Sequence, residues 1–322
     1  MTHAQPSHRL LLLLAPTVPP PLKAALQNSY PGSLDAATPA QLQALLASPE
    51  AAQITLFVTT ATEGVSDAQM AALPALRAVC SLGVGLDTLD LDAAQRRGIA
   101  VSNTPNVLND CVADLAVGLM IDVARGMGRA ERLVRRGDWP RSGPGALGTR
   151  VSGRRVGLLG MGRIGQTIAR RLAGFDMEIR YHTRRPVAGL PHAHEPSLEA
   201  LAQWCDFLVL ACAGGEATRG LVDAKVLAAL GPAGYLVNIA RGSVVDEAAL
   251  VQALQQGQLG GAALDVFAHE PQVPEALMAL DNVVLLPHIG SATQQTRRAM
   301  GDLLLANVAA FVQHGELKTA AF

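Results

Sequence analysis

The chain has 322 residues, a length typical of about two domains. Hydrophobic residues make up 49% and charged residues 16%, which excludes a disordered chain and indicates large buried cores. The net charge of −1 provides no bulk attraction to nucleic acid or to an anionic membrane surface, and no segment is long enough to span a bilayer, so neither partner is expected.

Strand and helix patterns alternate along the chain up to Ser102. The predicted strands are Leu10–Leu14, Ile54–Thr59, Ala78–Leu82 and Ile99–Ser102. The predicted helices are Pro21–Gln27, Thr38–Ala47, Asp67–Ala72 and Leu91–Arg97, and Thr38 before Pro39 is typical of an N-cap. Leu10–Leu14 is short for a signal-peptide core and no cleavage pattern follows it, so we interpret it as a buried strand. Repeated strand–helix units predict a first, smaller domain with a parallel sheet.

A linker-like segment, Asn103–Val107, precedes a long helix that Asn109 or Asp110 could cap. Its buried face is predicted at Val112, Leu115, Ala116, Leu119, Met120 and Val123. A charged helix is predicted over Arg125–Arg136. The Gly- and Pro-rich segment Gly137–Gly148, which contains Trp139, is interpreted either as an arm that reaches a partner subunit or as a surface loop.

Six further strands predict a second, doubly wound domain. They are Val156–Gly160, Glu178–His182, Phe207–Ala211, Tyr235–Ile239, Ala262–Val266 and Val283–Leu286. The helices between them are Gln166–Ala173, Ser197–Gln203, Lys225–Leu230 and Glu247–Gln256. A last helix, about Thr293–Val312, is expected to return to the first domain, which leaves the active site in the cleft between the two. The predicted domains are therefore residues 1–103 with 291–322, and residues 104–290.

Gly160, Gly162 and Gly165 have G-x-G-x-x-G spacing between a strand pattern and a helix pattern. The first glycine permits a tight turn, the second lets a pyrophosphate approach the backbone, and the third lets the helix pack close to its strand. The helix N-terminus offers N–H groups and a positive dipole end to the phosphates. The context favours a dinucleotide site over an ordinary glycine-rich turn.

The next strand indicates which dinucleotide is bound. An NAD site usually has Asp or Glu at the end of this strand, whereas this chain has Thr183 followed by Arg184 and Arg185. A hydroxyl and guanidinium groups would bind a 2′-phosphate that a carboxylate would repel. The pattern therefore favours NADP over NAD; the alternative is that the arginines only form a solvated turn.

Three polar residues follow strands of the second domain: Arg241, Glu270 and His288. Arg241 could hold a substrate carboxylate and polarise the adjacent carbonyl. His288 could protonate the carbonyl oxygen as hydride reaches carbon, and a carboxylate partner would favour the protonated imidazole. These are the groups that reduction of a 2-oxo acid needs. No metal is invoked.

Cys80, Cys111, Cys205 and Cys212 include no C-x-x-C pair and lie in apolar stretches. We therefore predict reduced core thiols in a cytoplasmic protein.

Nearly the whole chain resembles the D-2-hydroxyacid dehydrogenase family. The matching segments are Ser81–Asp87, Asn103–Leu108, Ala113–Ala116, Asn238–Gly242, Ala263–Pro271 and Pro287–Ser291. The resemblance implies a flavodoxin-like substrate domain with a Rossmann domain inserted in it, both doubly wound, and a homodimer formed through the segment between Asn109 and Gly148. It implies that the backbone around Val84 and Gly85 binds the substrate carboxylate.

The resemblance also implies the roles of site residues. Arg241, Glu270 and His288 would be the catalytic trio, with Glu270 orienting His288, and Asp265 would bind the nicotinamide carboxamide. Substrate-binding positions are Val84, Gly85, Arg241 and His288. Predicted cofactor-binding positions are Gly160, Gly162, Arg163, Ile164, Gly165, Thr183, Arg184, Arg185, Thr218, Ile239, Arg241, Asp265, His288 and Gly290.

Within the family, the loop at Ser81 and the Thr183–Arg185 ending are most similar to NADPH-dependent glyoxylate and hydroxypyruvate reductases. Relatives that act on 2-ketogluconate or hydroxyphenylpyruvate are alternatives, although 3% aromatic residues favour a small polar 2-oxo acid. One departure from the family is Ala213, where many members have Pro. A rival class is a dinucleotide-sensing interaction protein, as in corepressors of this fold, but the chain has no recruitment domain or low-complexity tail.

Overall fold

The computed structural model describes residues 11–322, so Leu10, where the first predicted strand starts, lies outside the described residues. The chain forms two compact units: the chain up to Leu108 with Gln294–Phe322, and Asn109–Thr293. The boundaries between the units, after Leu108 and after Thr293, lie a few residues beyond the predicted ones, and local hydrogen bonds account for the difference. Thr104 exchanges two hydrogen bonds with the backbone of Gly83, at 2.8 and 3.0 Å, and so stays with the first unit. Thr293 lies 3.5 Å from the Cys111 thiol of the second.

The described part of the first unit contributes five strands and four α-helices before residue 109. Strands β1–β5 are Leu12–Leu14, Leu34–Asp35, Leu56–Thr60, Ala78–Leu82 and Ala100–Ser102. Helices α1–α4 are Pro20–Ser29, Pro39–Leu46, Asp67–Ala71 and Leu91–Arg96. All pairs are parallel and the order is β2-β1-β3-β4-β5, which is the flavodoxin-like order expected. The Thr38 side chain accepts the Gln41 N–H, which confirms the predicted cap.

The second unit contains a seven-stranded sheet. Helices α5–α12 are Asn109–Arg125, Met127–Arg135, Trp139–Ser142, Arg163–Leu172, Leu198–Trp204, Ala224–Leu230, Glu247–Gln255 and Glu275–Met278. Strands β6–β12 are Arg155–Leu159, Glu178–His182, Ala193–His194, Phe207–Leu210, Tyr235–Asn238, Gly261–Leu264 and Val283–Leu285. The parallel order β12-β11-β10-β9-β6-β7-β8 is the Rossmann order with one added strand.

Two predictions for this unit were wrong in detail. Six strands were expected, but β8 adds a seventh that has only two residues and lies at the edge, where no hydrophobic alternation is needed. The segment Gly137–Gly148 is not entirely loop, because α7 forms one short helix at Trp139. The long helix α5 packs on α8, β10 and β11, and Val112, Ala116 and Leu119 on its predicted face are buried.

The carboxyl-terminal segment belongs to the first unit. Helix α13, Gln294–His314, packs on β4, and the guanidinium of Arg77 lies 5.4 Å from the centre of the Phe311 ring. Beyond it, the Thr319 hydroxyl donates to the Asn103 carbonyl at 2.6 Å.

All four cysteines are free thiols. Cys80 and Cys205 are core residues, but Cys111 and Cys212 are only half-buried, contrary to the prediction that all four lie in the core. Within residues 11–322, none of the helices combines the length and the apolar character that crossing a membrane requires.

Candidate active site

The three motif glycines lie where the order of the second sheet reverses, between β6 and β9. Gly160 has φ +102°, and a Cβ there would come within 2.6 Å of the Cys212 nitrogen at the end of β9. A Cβ on Gly165 would lie 2.2 Å from the Gly160 carbonyl oxygen, so this position requires glycine for α8 to approach β6. A Cβ on Gly162, in contrast, would meet nothing within 4 Å.

This arrangement fits a dinucleotide pyrophosphate. Helix α8 starts at Arg163, and in the described chain no side chain caps its amino end. Its first N–H groups therefore remain available to an anion, and the open space at Gly162 would let phosphate oxygens reach them. Arg163 is exposed, Ile164 is half-buried and Gly165 is buried.

The loop after β9 is braced by a threonine. The Thr218 hydroxyl lies 2.8 Å from the Ala213 carbonyl and 3.1 Å from that of Gly215, both of which can accept its proton. Ala213, where many family members have Pro, thus still lies in a loop of defined shape. Ile239, the residue after β10, is buried and its N–H donates to the Leu210 carbonyl at 3.4 Å.

The segment after β7 has the polar ending that the sequence indicated. Arg184 and Arg185 are both exposed. The Thr183 hydroxyl donates to the Arg185 carbonyl at 2.6 Å, so its proton is directed into the turn.

Arg241 follows β10 in a backbone held by Asn238. The buried Asn238 side chain donates to the Arg241 carbonyl at 2.9 Å and accepts the Ala240 N–H at 3.0 Å. The Arg241 guanidinium also donates to the Ala240 carbonyl at 2.8 Å. In the sequence, Asn238 was noted only as part of a segment that matches the family, and its role in holding the backbone of Arg241 was not predicted. A polar side chain at the end of an otherwise apolar strand is the pattern that could have revealed it.

Glu270 and His288 form a hydrogen-bonded pair. Nδ1 of His288 lies 2.7 Å from Oε2 of Glu270, while Oε1 accepts the Phe267 N–H at 3.1 Å. A carboxylate only accepts, so Nδ1 carries the proton of this bond and Nε2 is left for another partner. The carboxyl and the imidazole are 29% and 33% exposed, which keeps the pair accessible to a small molecule.

The electrostatics favour an ionised Glu270. Burial raises its pKa, but the hydrogen bond and charge of His288, the Phe267 N–H and the charge of Arg241 outweigh this, so the pKa lies below its ordinary value. The effect of Arg241 also indicates that all three members of the predicted trio share one electrostatic environment.

Asp265 organises the turn that carries His288. Its carbonyl accepts the His288 N–H at 2.9 Å, and its two carboxylate oxygens accept the N–H groups of Ile289 and Gly290, each at 2.7 Å. His288 itself has φ 54°, a left-handed conformation that is uncommon outside glycine. Burial raises the pKa of Asp265, and the two N–H donors offset part of that rise. The expected nicotinamide contact of Asp265 stays a prediction.

The predicted substrate loop belongs to the first unit. It follows β4, where Gly83 has φ 134° and the Val84 carbonyl accepts the Asn103 side-chain amide at 2.9 Å. Val84 and Gly85 are half-buried. Their role toward a carboxylate stays a prediction.

Comparison with known proteins decides the family. Residues 117–290 match the family model described as D-isomer specific 2-hydroxyacid dehydrogenase, NAD binding domain. The chain belongs to this family. It is 46% identical over 266 residues to glyoxylate/hydroxypyruvate reductase A of Arabidopsis thaliana, covering 83% of this chain and 85% of that one. It is 45% identical over 261 residues to hydroxyphenylpyruvate reductase of Plectranthus scutellarioides, covering 81% and 84%.

A solved member of the family has the same fold. The NADPH-dependent glyoxylate/hydroxypyruvate reductase of Sinorhizobium meliloti, in complex with NADP and malonate, is 41% identical, covers 97% of each chain and has a TM-score of 0.91. The present chain is therefore a D-2-hydroxyacid dehydrogenase that is similar to glyoxylate/hydroxypyruvate reductases. It is an NAD(P)-dependent oxidoreductase that uses a nicotinamide dinucleotide and a small-molecule 2-oxo acid substrate.

Proposed function

We propose that this dehydrogenase uses NADPH to reduce glyoxylate to glycolate and hydroxypyruvate to D-glycerate. The arrangement of His288, Glu270 and Arg241 carries the proposal, because it combines a proton donor, a carboxylate that orients it and a cation for an anionic substrate. The names of its relatives support the same two substrates.

His288 is the proposed proton donor. Its Nδ1–H is engaged by Glu270, which fixes the ring and directs Nε2 toward the substrate carbonyl oxygen. In the doubly protonated ring, Nε2–H can be transferred to that oxygen, and the Glu270 carboxylate stabilises the cation until the proton leaves.

Arg241 is proposed to bind the substrate carboxylate and to polarise the adjacent carbonyl. Its backbone is fixed by Asn238, so the guanidinium starts from a defined position. We propose that the backbone N–H groups near Val84 and Gly85, in the first unit, also contribute to substrate binding.

The cofactor would be held by Gly160, Gly162 and the amino end of α8 at its pyrophosphate, with Arg163 and Ile164 adjacent to it. We propose further contacts from Thr218, Ile239, Asp265 and Gly290. A bound nicotinamide supplies the hydride.

The proposed preference for NADPH rests on Arg184 and Arg185. Both are exposed immediately after β7, where an NAD-specific site would present a carboxylate to the ribose. Two guanidinium groups can form charge-assisted hydrogen bonds to a 2′-phosphate, which NADH lacks.

We further propose that the protein is a homodimer, with a second copy of this chain covering α6 and α7. Met127, Val134 and Trp139 are each more than half exposed, and none of the residues of α6 is buried in the described structure. Large apolar side chains exposed on two consecutive helices are expected on a surface that another protein covers.

The test measures nicotinamide absorbance during turnover of glyoxylate, hydroxypyruvate, 2-ketogluconate and hydroxyphenylpyruvate, each with NADPH and with NADH. Fast oxidation of NADPH with the first two acids is expected. Preference for one of the larger acids would be compatible with the roles of His288 and Arg241 but would reject glyoxylate and hydroxypyruvate as the substrates. Preference for NADH would reject the role of Arg184 and Arg185. Nucleotide binding without turnover of any 2-oxo acid would favour the dinucleotide-sensing alternative.

A further inference from the structure

The segment between Thr183 and Val187 is closed by four hydrogen bonds, one of which runs from the Tyr181 hydroxyl to the Val187 carbonyl at 3.4 Å. The Thr183 hydroxyl donates to the Arg185 carbonyl at 2.6 Å. The Val187 N–H donates to the Tyr181 hydroxyl at 2.9 Å, and Nε2 of His194 lies 2.9 Å from the Thr183 carbonyl. Because a carbonyl only accepts, Nε2 of His194 is the protonated nitrogen. Arg184 and Arg185 are thus carried by a turn whose two ends are tied down.

Tyr181 belongs to β7, whereas the bond from His194 comes from the edge strand β8. It pairs in parallel with β7, so that Tyr181 is the register partner of His194. The Glu195 N–H donates to the Tyr181 carbonyl at 2.8 Å, and Nδ1–H of His182 donates to the Glu195 carbonyl at 2.9 Å.

Ring packing fixes the position of His194. Its ring meets Tyr181 edge-on with centroids 5.3 Å apart and lies nearly parallel to His182 at 6.4 Å. Tyr181 is only 2% exposed, so its hydroxyl has a defined location. The two-residue strand β8, which has no hydrophobic pattern, thus contributes to holding the Thr183–Val187 turn that carries the arginines.

The hydrogen bond from the Thr183 hydroxyl to the Arg185 carbonyl determines which side chains of the turn can donate to an anion. The one hydroxyl proton of Thr183 is already donated to the Arg185 carbonyl, which leaves the oxygen as an acceptor only. A phosphate dianion needs donors. The guanidinium groups of Arg184 and Arg185 must therefore provide the recognition, and their placement depends on the turn.

We propose that Tyr181 and His194 are positioning residues for recognition of the cofactor 2′-phosphate, which rests on the proposed NADPH preference. By holding the Thr183–Val187 turn before the cofactor arrives, they reduce the conformational entropy lost when Arg184 and Arg185 bind the phosphate. A nucleotide without a 2′-phosphate does not contact the two guanidinium groups, so holding the turn in place does not increase its affinity. Loss of either residue should therefore weaken the discrimination between the two cofactors rather than nucleotide binding in general.

The experiment compares adenosine 2′,5′-bisphosphate with adenosine 5′-monophosphate by titration calorimetry, using the full chain. The variants are Tyr181→Phe, His194→Ala and His194→Gln, and His192→Ala is the matched control from the same segment. His194→Ala, which removes one hydrogen bond, should weaken binding of the bisphosphate about three- to tenfold, and Tyr181→Phe, which removes two, should weaken it at least as much. The monophosphate should change less than about twofold. The Michaelis constants for NADPH and NADH should follow the same pattern.

His194→Gln should recover most of the lost affinity, because its amide N–H can replace the ring Nε2–H. Equal weakening of both nucleotides, or none, would overturn the proposal. If the unmodified protein binds the two nucleotides alike, the NADPH preference itself fails. If the unmodified protein prefers the bisphosphate and the variants Tyr181→Phe and His194→Ala prefer it just as strongly, the NADPH preference stands and only the positioning role fails.

Discussion

Nδ1 of His288 is joined to Oε2 of Glu270 by a 2.7 Å hydrogen bond across 18 positions of sequence. The same histidine has a left-handed backbone, and its N–H is bound by the Asp265 carbonyl. The orientation of the imidazole is therefore set from both its side chain and its main chain.

The backbone of His288 suggests the most informative substitution. Asn tolerates left-handed φ values, and its Nδ2–H can replace Nδ1–H toward Glu270, so His288→Asn removes little besides Nε2. We expect kcat to fall about a hundredfold or more, with nucleotide affinity retained. Stopped-flow turnover and calorimetric titration with NADPH measure the two quantities. Unchanged turnover would end the role of His288 as proton donor.

Glu270→Gln should affect both turnover and acid stability. The pKa of Glu270 in the folded state lies below the ordinary glutamate value of about 4.3, because the hydrogen bond and charge of His288 outweigh burial. Its charge therefore stabilises the fold above that ordinary value, and the stabilisation is lost as pH falls through the lower folded-state pKa. The difference in unfolding free energy between wild type and variant should shrink as the pH falls below about 4.

Urea unfolding across this pH range measures the effect, with Glu316→Gln, an exposed site, as control. A difference that does not vary with pH would show that Glu270 gains nothing from ionisation. Turnover should fall in Glu270→Gln because one of its two terminal groups then presents N–H to a donor, either Phe267 N–H or His288 Nδ1–H.

The motif glycines make a matched pair of variants. Gly165→Ala places a Cβ 2.2 Å from a carbonyl oxygen and should cost about 1–3 kcal/mol of stability. Gly162→Ala meets no protein atom within 4 Å and should unfold at nearly the wild-type temperature. It should still weaken dinucleotide binding about tenfold or more, because its methyl group occupies the approach to α8. Normal NADPH affinity in Gly162→Ala would place the pyrophosphate elsewhere.

Arg184→Ala should raise the Michaelis constant for NADPH by about tenfold and leave that for NADH almost unchanged, since only NADPH has the 2′-phosphate. Initial-rate kinetics with both cofactors measure this. Arg219→Ala, which removes an exposed arginine paired with Glu216, serves as control. Equal effects on both cofactors would contradict a 2′-phosphate contact.

The four thiols should differ in reactivity. Burial raises the pKa of Cys80 and Cys205 to about 12 and that of Cys212 to about 11, so all three stay protonated at pH 8. A disulfide reagent should modify one thiol rapidly in the native protein, and Cys111→Ser should abolish that phase. The other three should react far more slowly, because their thiols stay protonated. Rapid modification of more than one thiol would contradict the raised pKa values of Cys80, Cys205 and Cys212.

The sequence predicted the parallel domains well because buried strands and capped helices are local patterns. Thr38, whose cap is defined by its neighbours, is one such case. The amino end of α8 was placed three residues late, at Gln166 instead of Arg163, because the helix begins within the glycine motif itself. The strand β8 was missed since two residues at a sheet edge show no periodicity.

For the candidate active site, the sequence predicted which residues take part but not the hydrogen bonds that hold them in place. Arg241, Glu270 and His288 follow strands whose carboxyl ends share one edge, which the alternating pattern predicts. The bonds from Asp265 to Ile289 and Gly290, and from Asn238 to Arg241, depend on backbone geometry that spacing does not encode. The same is true of the support that Tyr181 and His194 give to the arginine turn.

The left-handed backbone at His288 also limits how this scaffold can diverge. Gly, Asn and Asp accept such a conformation most easily, whereas β-branched residues strongly resist it. A descendant that abandoned catalysis but kept the fold would therefore still be confined to a few residue types at this position. Selection for folding alone would then restrict this position to residues that accept a left-handed backbone, whereas selection for the proton donor would restrict it to His.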